Sequence, residues 1–459
     1  GIAIDLGSTT IAAHLCDLHT GEIINSSGIM NPQIRFGEDL MSRVSFSMMN
    51  DDGTEKLRET VQESLNTLFQ TLIKKTEIDR KLIVELSIVC NPVMHHLLLG
   101  INPTELGQAP FALASSDSLY FKNDHIGLNF LDNANLYLLP CIAGHVGADA
   151  AAVILSEAPN ESEETVLIID VGTNAELILG NKYELYACSS PTGPAFEGAQ
   201  ISSGQRAAPG AIEKIKIDPI SKDPIFKVIG CDYWSNEEQF QNFLSNQKIT
   251  GICGSGIIEA IAEMRMTGIL DASGLIGSSS ETGSERCISE GRTNSYIIYK
   301  SMINDETTIK ITNGDVRAIQ LAKAALFAGS RLLMDEMKID KIDKIILAGA
   351  FGAHISTKHA MVLGMIPDCN LKNVTSAGNA AGAGAMIALL NRKSRLEISK
   401  TVKKINKIET AMAPKFQEYF VSASAIPNSM FSFPELEKVM KLPDVSFNQK
   451  KRNKRANYN

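Results

Sequence analysis

The chain opens on Gly-Ile-Ala-Ile-Asp-Leu-Gly-Ser-Thr-Thr and returns to the same design at Leu-Ile-Ile-Asp-Val-Gly-Thr-Asn-Ala-Glu, so that Asp5 and Asp170 stand 165 residues apart. Each copy is a short apolar strand that ends in Asp-x-Gly-Ser/Thr. A buried strand carries the aspartate to its carboxyl end, and Gly7 or Gly172 allows a tight turn. The amides and hydroxyls of Ser8, Thr9, Thr10, Thr173 and Asn174 then border the space a phosphate would fill. An aspartate beside such a loop suits hydrated Mg2+, which takes one or two carboxylates and keeps several waters. One copy alone also fits an ordinary hairpin turn. Two copies half a chain apart describe a duplicated nucleotide clamp.

The flanking sequence supports the duplication. After each loop the pattern runs strand, turn, strand: Ile11 to Leu18, His19 to Glu22 and Ile23 onward in the first copy; Glu176 to Leu179, Gly180 to Lys182 and Tyr183 to Cys188 in the second. A third signal is Lys344-Ile-Ile-Leu-Ala-Gly-Ala-Phe-Gly, an apolar strand running into Gly349, Ala350 and Gly352. Gly378 to Ala385 adds a patch of small residues. Such side chains let a base and ribose lie against backbone, or equally let a strand and helix pack closely. The G-x-G-x-x-G dinucleotide fingerprint at the head of a βαβ unit is absent. The expectation is two α/β domains, each a mixed sheet with a β-hairpin phosphate loop, closing on a cleft, rather than a doubly wound sheet.

Composition narrows the function. The 459 residues, 44% hydrophobic and 21% charged, suit a globular protein of two or three domains. A formal net charge of −8 speaks against a general nucleic-acid binder. The longest small-apolar run, Ala380 to Leu390, is far shorter than the roughly 18 residues of a membrane span, and a cytoplasmic location is expected. Cys16, Cys90, Cys141, Cys188, Cys231, Cys253, Cys287 and Cys369 are scattered and form no C-x-x-C pair, which points to reduced, buried thiols. The first residue already lies inside a strand, so the sequence reads as a fragment with something ahead of it.

The expected organisation is a first half over 1–159, a second over 165–396, and an extension over 397–459 with a basic tail, Gln449 to Arg455. Helical spacing predicts a helix over Thr54 to Lys75, and a strand over Leu82 to Cys90 follows. In the second half a hairpin is expected around Asp218 to Asp223 and a loop from Ser273 to Ser284. A helix is expected from Asp315 to Met337, with Asp315 as its N-cap.

Between the loops, Gly- and Pro-rich stretches carry Glu197 and Arg206. Glu197 could orient a hydrolytic water or hold Mg2+ through water, and Arg206 could meet phosphate; a structural Glu-Arg pair is the alternative. Gly254 and Ser255 sit before a helix, either as an anion contact or as close packing. The adjacent His95 and His96 point in different directions, which disfavours a shared metal site. His145 faces the cleft or serves the core.

The long loop motifs, Asn31-Pro-Gln with Phe36-Gly-Glu-Asp, Met94-His-His-Leu-Leu-Leu-Gly, Gly144-His-Val-Gly-Ala-Asp, Gly193-Pro-Ala-Phe-Glu-Gly, Gly251-Ile-Cys-Gly-Ser-Gly and Leu347-Ala-Gly-Ala-Phe-Gly, together with the two aspartate loops, resemble one family. It is the RACo-like reductive activators of corrinoid-dependent enzymes, within the actin, sugar-kinase and heat-shock ATPase (ASKHA) superfamily, and the similarity runs from Gly1 to about Arg395. The resemblance implies an actin-like, ribonuclease H-like duplicated fold and a slow Mg-ATPase. ATP use would return a Co(II) corrinoid protein of a methyltransferase system to Co(I). It also implies an iron-sulfur cluster on a ferredoxin-type domain upstream of Gly1 and none on this chain. Asp5 and Asp170 would position Mg2+ and water, with Glu197 as a third catalytic group. Gly7, Ser8, Thr9, Thr10, Gly172, Thr173, Asn174, Gly254 and Ser255 would hold phosphates. Gly349, Ala350 and Gly352 would hold adenosine, with Lys323 near ribose or base. The chain departs from the family at Ala175 and Cys90, where glycine is commoner. Self-association into a homodimer stays open. The rivals are a small-molecule kinase, with Asp39, Asp149 or Glu197 as base, and a scaffold that ATP only locks.

Overall fold

The computed structural model describes residues 1–301, 307–352 and 354–447. Two six-stranded sheets dominate it. The first uses β1 (Ile2–Leu6), β2 (Thr10–Cys16), β3 (Ile23–Met30), β4 (Glu85–Cys90), β5 (Leu119–Lys122) and β6 (Asn135–Leu138) in the order β3-β2-β1-β4-β6-β5. The second is built on β7 (Val166–Val171), β8 (Ala175–Gly180) and β9 (Leu185–Ser190). Two small three-stranded sheets then intervene: β10 (Ala211–Ile217), β11 (Pro224–Val228) and β12 (Gly251–Ile252), and β13 (Cys287–Glu290), β14 (Thr293–Lys300) and β15 (Thr308–Thr312). The second large sheet is completed by β16 (Lys344–Ala348), β17 (Val374–Gly378) and β18 (Asn406–Lys407), in the order β17-β16-β7-β8-β9-β18.

The duplication extends to topology. In both sheets the first strand pairs antiparallel with the second and the second with the third, while its other edge takes a parallel partner that takes another. Parallel neighbours align carboxyl ends, so Asp170, Ala348 and Gly378 end their strands in register. In the first sheet Leu6, just after Asp5, and Cys90 end their strands in register in the same way. Sheets of this kind put ligands at the carboxyl ends of their strands.

Each half has its own core, and a third core lies between them. The Ala148–Glu157 helix and the Ala380–Leu390 helix pack together there. A Cβ on Gly384 would come within 2.0 Å of the Ala152 carbonyl. The small residues of 380–385 therefore serve close helix packing, which needs glycine where backbones touch. Gly378 differs: it has φ +63° and its missing Cβ would meet nothing within 4 Å.

Several sequence expectations shift by a turn or less. The first long helix is Gly53–Lys74 and the strand after it is Glu85–Cys90. The hairpin at Asp218 to Asp223 is present, closed by the Asp218 N–H on the Asp223 carbonyl. The long helix of the second half runs Asn313–Met337 with Thr312, not Asp315, as N-cap. Asp315 is the third residue of a capping box and also receives the N–H and hydroxyl of Ser202. The 273–284 stretch includes a short helix, Ser279–Thr282.

Beyond residue 396 the chain keeps packing on the molecule. The Arg392–Val402 helix crosses to the first half, where Arg395 pairs with Glu85 at 2.6 Å. The Phe416–Ser422 helix lies on the Asn313–Met337 helix. The basic tail, Gln449 to Arg455, falls outside the described residues. Among the described residues no helix is long and apolar enough to cross a membrane.

Candidate functional site

Gly7 turns the first loop, its N–H donating to the Thr10 carbonyl at 3.1 Å. Any Cβ there would sit 2.6 Å from that carbonyl. The loop is braced from behind. Asn31 donates from Nδ2 to the Gly7 carbonyl at 2.9 Å and from its N–H to the Thr9 carbonyl at 2.8 Å. Arg43, fully buried, donates to the Ser8 carbonyl at 2.5 Å, to the Gly37 carbonyl and to Gln33 Oε1. In a trans peptide the N–H of the next residue points opposite to the carbonyl. Pinning the Gly7 and Ser8 carbonyls backwards therefore turns the N–H groups of Ser8 and Thr9 forwards, the arrangement that cradles anions. Sequence reasoning had singled out the Asn31 to Asp39 motif without a role; its role is this brace.

The second loop is held differently. The Gly172 N–H donates to the Asn174 carbonyl at 2.9 Å, and the Thr192 hydroxyl donates to the Thr173 carbonyl at 3.2 Å. The Thr173 hydroxyl donates to Glu197 Oε1 at 2.8 Å. Glu197 lies on the Pro194–Glu197 turn and is partly exposed. It pairs with Thr173 rather than Arg206, whose Nη1 reaches Met30 Sδ at 3.4 Å. The structural Glu-Arg pair is thus absent.

The two aspartates meet in an acidic cluster with Asp149 and Glu176. Burial pushes Asp5 up to about 7, repulsion from Asp149 adds to this, and the Asn379 amide offsets part of it. Burial also pushes Asp170 to about 7, followed by repulsion from Asp149 and Asp5. Asp149, in the first turn of the Ala148–Glu157 helix, is raised to about 6 by burial against the opposing Ala150 N–H. Glu176 is pushed well above the carboxylate range by burial, then by Asp149 and Asp170. It stands directly opposite Asp170 in the β7–β8 ladder, a like-charge cross-strand pair. All four acids are partly exposed, as groups lining a narrow cleft would be, and no base is among the causes of their shifts.

Such a cluster is stabilised by any cation that enters it. Among the described residues no three metal-ligating side chains converge on one point. The donor set therefore fits a largely hydrated ion touched by one or two carboxylates, which is the habit of Mg2+, and does not fit a metal fully caged by protein. Asp5 and Asp170 are the carboxylates the sequence pointed to; Asp149, Glu176 and Asn379 are additions. The Asp170–Glu176 pairing was available in the hairpin spacing, and Asp149 stood within a quoted motif.

The third signal joins the site. Gly349 has φ +85°, and a Cβ there would lie 2.5 Å from Asp170 Oδ1. Gly352 is buried in the same turn; the Ala350 side chain falls outside the described residues. With Gly378 facing open space, this edge offers bare backbone beside Asp170 to a flat group.

One expectation needs correction. Lys323 is 1% exposed and its Nζ donates to the Ala425 and Pro427 carbonyls. It ties the C-terminal segment to the second half and is not free for ribose or base. The Ser255 hydroxyl donates to the Glu213 carbonyl at 3.1 Å. The helix it belongs to begins at Gly254, and Gly256 is needed because a Cβ would lie 2.4 Å from the Ile212 carbonyl. Close packing accounts for Gly256 of that motif.

The remaining histidines and the rival base are also placed. His96 bonds the Pro92 carbonyl and accepts the Ala114 N–H, while His95 is fully buried. His145 bonds the Leu106 carbonyl and lies against the Phe111 ring, tilted by 50°. Asp39 caps the Leu40–Met49 helix through the Ser42 N–H. Seven of the eight cysteines are buried, as the sequence suggested.

With this geometry in place, comparison with known proteins is direct. A model described as the RACo middle region matches residues 1–160, and one described as the C-terminal domain of RACo, the ASKHA domain, matches residues 164–437. The corrinoid activation enzyme RamQ of Eubacterium limosum is 33% identical over 440 residues, covering 94% of this chain and 70% of the relative. A reductase of the Co(II) methylated amine-specific corrinoid protein, from Methanosarcina barkeri, is 26% identical over 438 residues, 90% of this chain and 74% of that one. The solved structure of a reductive activator for a corrinoid, iron-sulfur protein superposes with a TM-score of 0.80 at 32% identity, over 94% of this chain and 66% of that chain. The chain thus spans about two thirds of that activator's length.

Proposed function

The chain belongs to the RACo family through both its middle region and its C-terminal ASKHA domain, and from that premise we propose that it is the Mg-ATP-dependent module of a reductive activator of a corrinoid protein. The observation that carries the ATP part is the convergence of Asp5 and Asp170, one from each copy of the loop, in one cluster of raised carboxyl groups. The Ser8 and Thr9 amides and the Thr173 loop would hold phosphates. Asp5 and Asp170 would hold hydrated Mg2+, whose chemistry is to offset phosphate charge and the repulsion within the cluster. Glu197, fixed by Thr173, would orient the attacking water. Gly349, the Gly349–Gly352 turn and Gly378 would receive the adenosine.

The corrinoid part rests on the relatives' activities. One electron from a low-potential donor reduces Co(II) to Co(I), and hydrolysis of ATP to ADP and phosphate supplies the driving force. A corrinoid protein of a methyltransferase system is the proposed partner. The test is to incubate the protein with a Co(II) corrinoid protein, a reductant and ATP, and in parallel with ATP and a panel of sugars and acids. A Co(I) absorption band that requires ATP supports the activator. A phosphorylated metabolite makes it a kinase, and neither product with intact ATP binding makes it a scaffold.

A further inference from the structure

Glu197 and Arg206 belong to one segment that reaches from the second half to the first. At one end Glu197 touches the second phosphate loop through Thr173. At the other end Arg206, carried by the second half, rests on Met30 of the first. Met30 is the ladder partner of Thr10, the last residue of the first phosphate loop. One stretch of chain therefore touches the rims of both loops.

The base of this stretch is rigid. Ser202 donates its N–H and its hydroxyl to the two oxygens of buried Asp315, each at 2.7 Å. The Ile252 N–H donates to the Ser203 carbonyl and the Gln205 N–H to the Ile252 carbonyl, both at 2.9 Å. A Cβ on Gly198 would lie 2.6 Å from the Gln205 carbonyl, so the two ends of the loop are in backbone contact. The tip is different. Arg206 is exposed, and among the described residues its guanidinium meets a thioether, a weak acceptor. A strong donor is thus held on a firm base with only a poor partner. A phosphate oxygen would displace the thioether readily, because charge-assisted bonds to guanidinium are short and strong.

Which phosphate it would meet follows from the layout. The bare backbone at Gly349 and Gly378 lies on the second half, Gly349 against Asp170 and Gly378 at the end of the outer strand of the same sheet, while the first loop follows Asp5 on the other half. A nucleotide laid from one to the other presents its outermost phosphate to the first loop, and so to Arg206. We propose that Arg206 is a positioning residue that closes the two halves on the terminal phosphate and so distinguishes ATP from ADP. This rests on the ATP reading above.

Calorimetric titration of the full chain with ATP and with ADP, both with Mg2+, tests it on the wild type, Arg206→Ala, Arg206→Lys and Met30→Leu. Arg206→Ala should weaken ATP by about 10- to 100-fold and leave ADP within about twofold. Arg206→Lys should recover part of the ATP affinity, since the charge survives without the planar fork. Met30→Leu should keep the wild-type ratio of the two affinities, and the nucleotide-free melting temperature should be equal in all four proteins. An ATP/ADP ratio in Arg206→Ala equal to that of the wild type overturns the inference while leaving ATP binding intact. So does a drop in the nucleotide-free melting temperature of Arg206→Ala, which would make the residue structural. A wild type that binds neither nucleotide overturns the ATP reading itself.

Discussion

In the first half the phosphate loop is braced by neutral carbonyl contacts from Asn31 and by a buried cation, Arg43; in the second half the same loop is braced by the Thr192 hydroxyl and by Glu197. The strands beneath differ in the same sense. Asp5 faces Ala12 across its ladder, whereas Asp170 faces Glu176. Both halves supply a further carboxylate to the cluster, Asp149 from the first and Glu176 from the second. On the ATP reading proposed above, the first copy holds its loop in a fixed shape and the second places Glu197 where a water would act.

The largest effect that could break this comparison lies in the aspartates. Asp170→Ala and Asp5→Ala should each lower ATP turnover at least about 100-fold while the fold survives, because a metal-positioning carboxylate is worth several kcal/mol. Steady-state turnover with circular dichroism as a fold control checks it. If only Asp170 mattered, the first half would be a passive wall and the clamp reading would fail.

The braces come next. Arg43→Met should cost about 3–5 kcal/mol of stability, because the carbonyls of Ser8 and Gly37 and the Gln33 side chain lose a buried donor. Glu197→Gln should cost less than about 1 kcal/mol, as its one fixed bond is partly exposed and an amide oxygen can replace it. Its turnover should nevertheless fall about 100-fold if it orients water. Denaturant melts beside turnover rates separate these outcomes, and equal stability losses would erase the distinction between a holding half and an acting half.

Much of this was legible in the sequence because it is local. Asp-x-Gly-Ser/Thr encodes its own turn, and a strand-turn-strand pattern follows each copy, so the duplicated hairpins and the apolar strand before Gly349 could be read directly. What escaped, the parallel pairing of the Lys344–Ala348 strand included, depends on distant partners. Lys323 meets carbonyls about a hundred residues further on, and nothing in its helix discloses them. Asn379 reaches Asp5 only because the Ala380–Leu390 helix crosses back to the first half. The small-residue patch it heads was ambiguous for the same reason: a glycine that admits a base and one that admits a helix look alike until the neighbour is known.

Those two kinds of glycine give a smaller, sharper contrast. Gly349→Ala places a methyl 2.5 Å from Asp170 Oδ1 at φ +85°, and Gly378→Ala places one in open space at φ +63°. Both pay left-handed backbone strain of about 1 kcal/mol, but Gly349→Ala should add roughly 1–2 kcal/mol for displacing the aspartate and should weaken nucleotide binding as well. Thermal melts and nucleotide titrations of the pair check it. Equal behaviour would place Gly349 outside the site.

The smallest expected effect is the pH dependence of the nucleotide-free protein. Asp5 and Asp170 have native values of about 7, above their unfolded values, so the folded protein binds more protons than the unfolded chain between about pH 4 and pH 7. Stability therefore falls as pH rises through that window, and below it both states are protonated and the effect vanishes. Asp170→Asn copies the neutral form. It should raise the nucleotide-free stability at pH 8 by roughly 1–2 kcal/mol, damped by water in the cleft, and leave it unchanged near pH 4. Asp5→Asn should gain less, since the Asn379 amide already offsets part of the cost at Asp5, whereas Asp170 meets repulsion from both Asp149 and Asp5. Melting temperatures of the three proteins at both pH values, with and without Mg-ATP, read this directly. Mg-ATP should stabilise the wild type at pH 8 and fail to stabilise Asp170→Asn. A gain from Asp5→Asn as large as that from Asp170→Asn would show that the two halves carry equal electrostatic strain, whatever their braces.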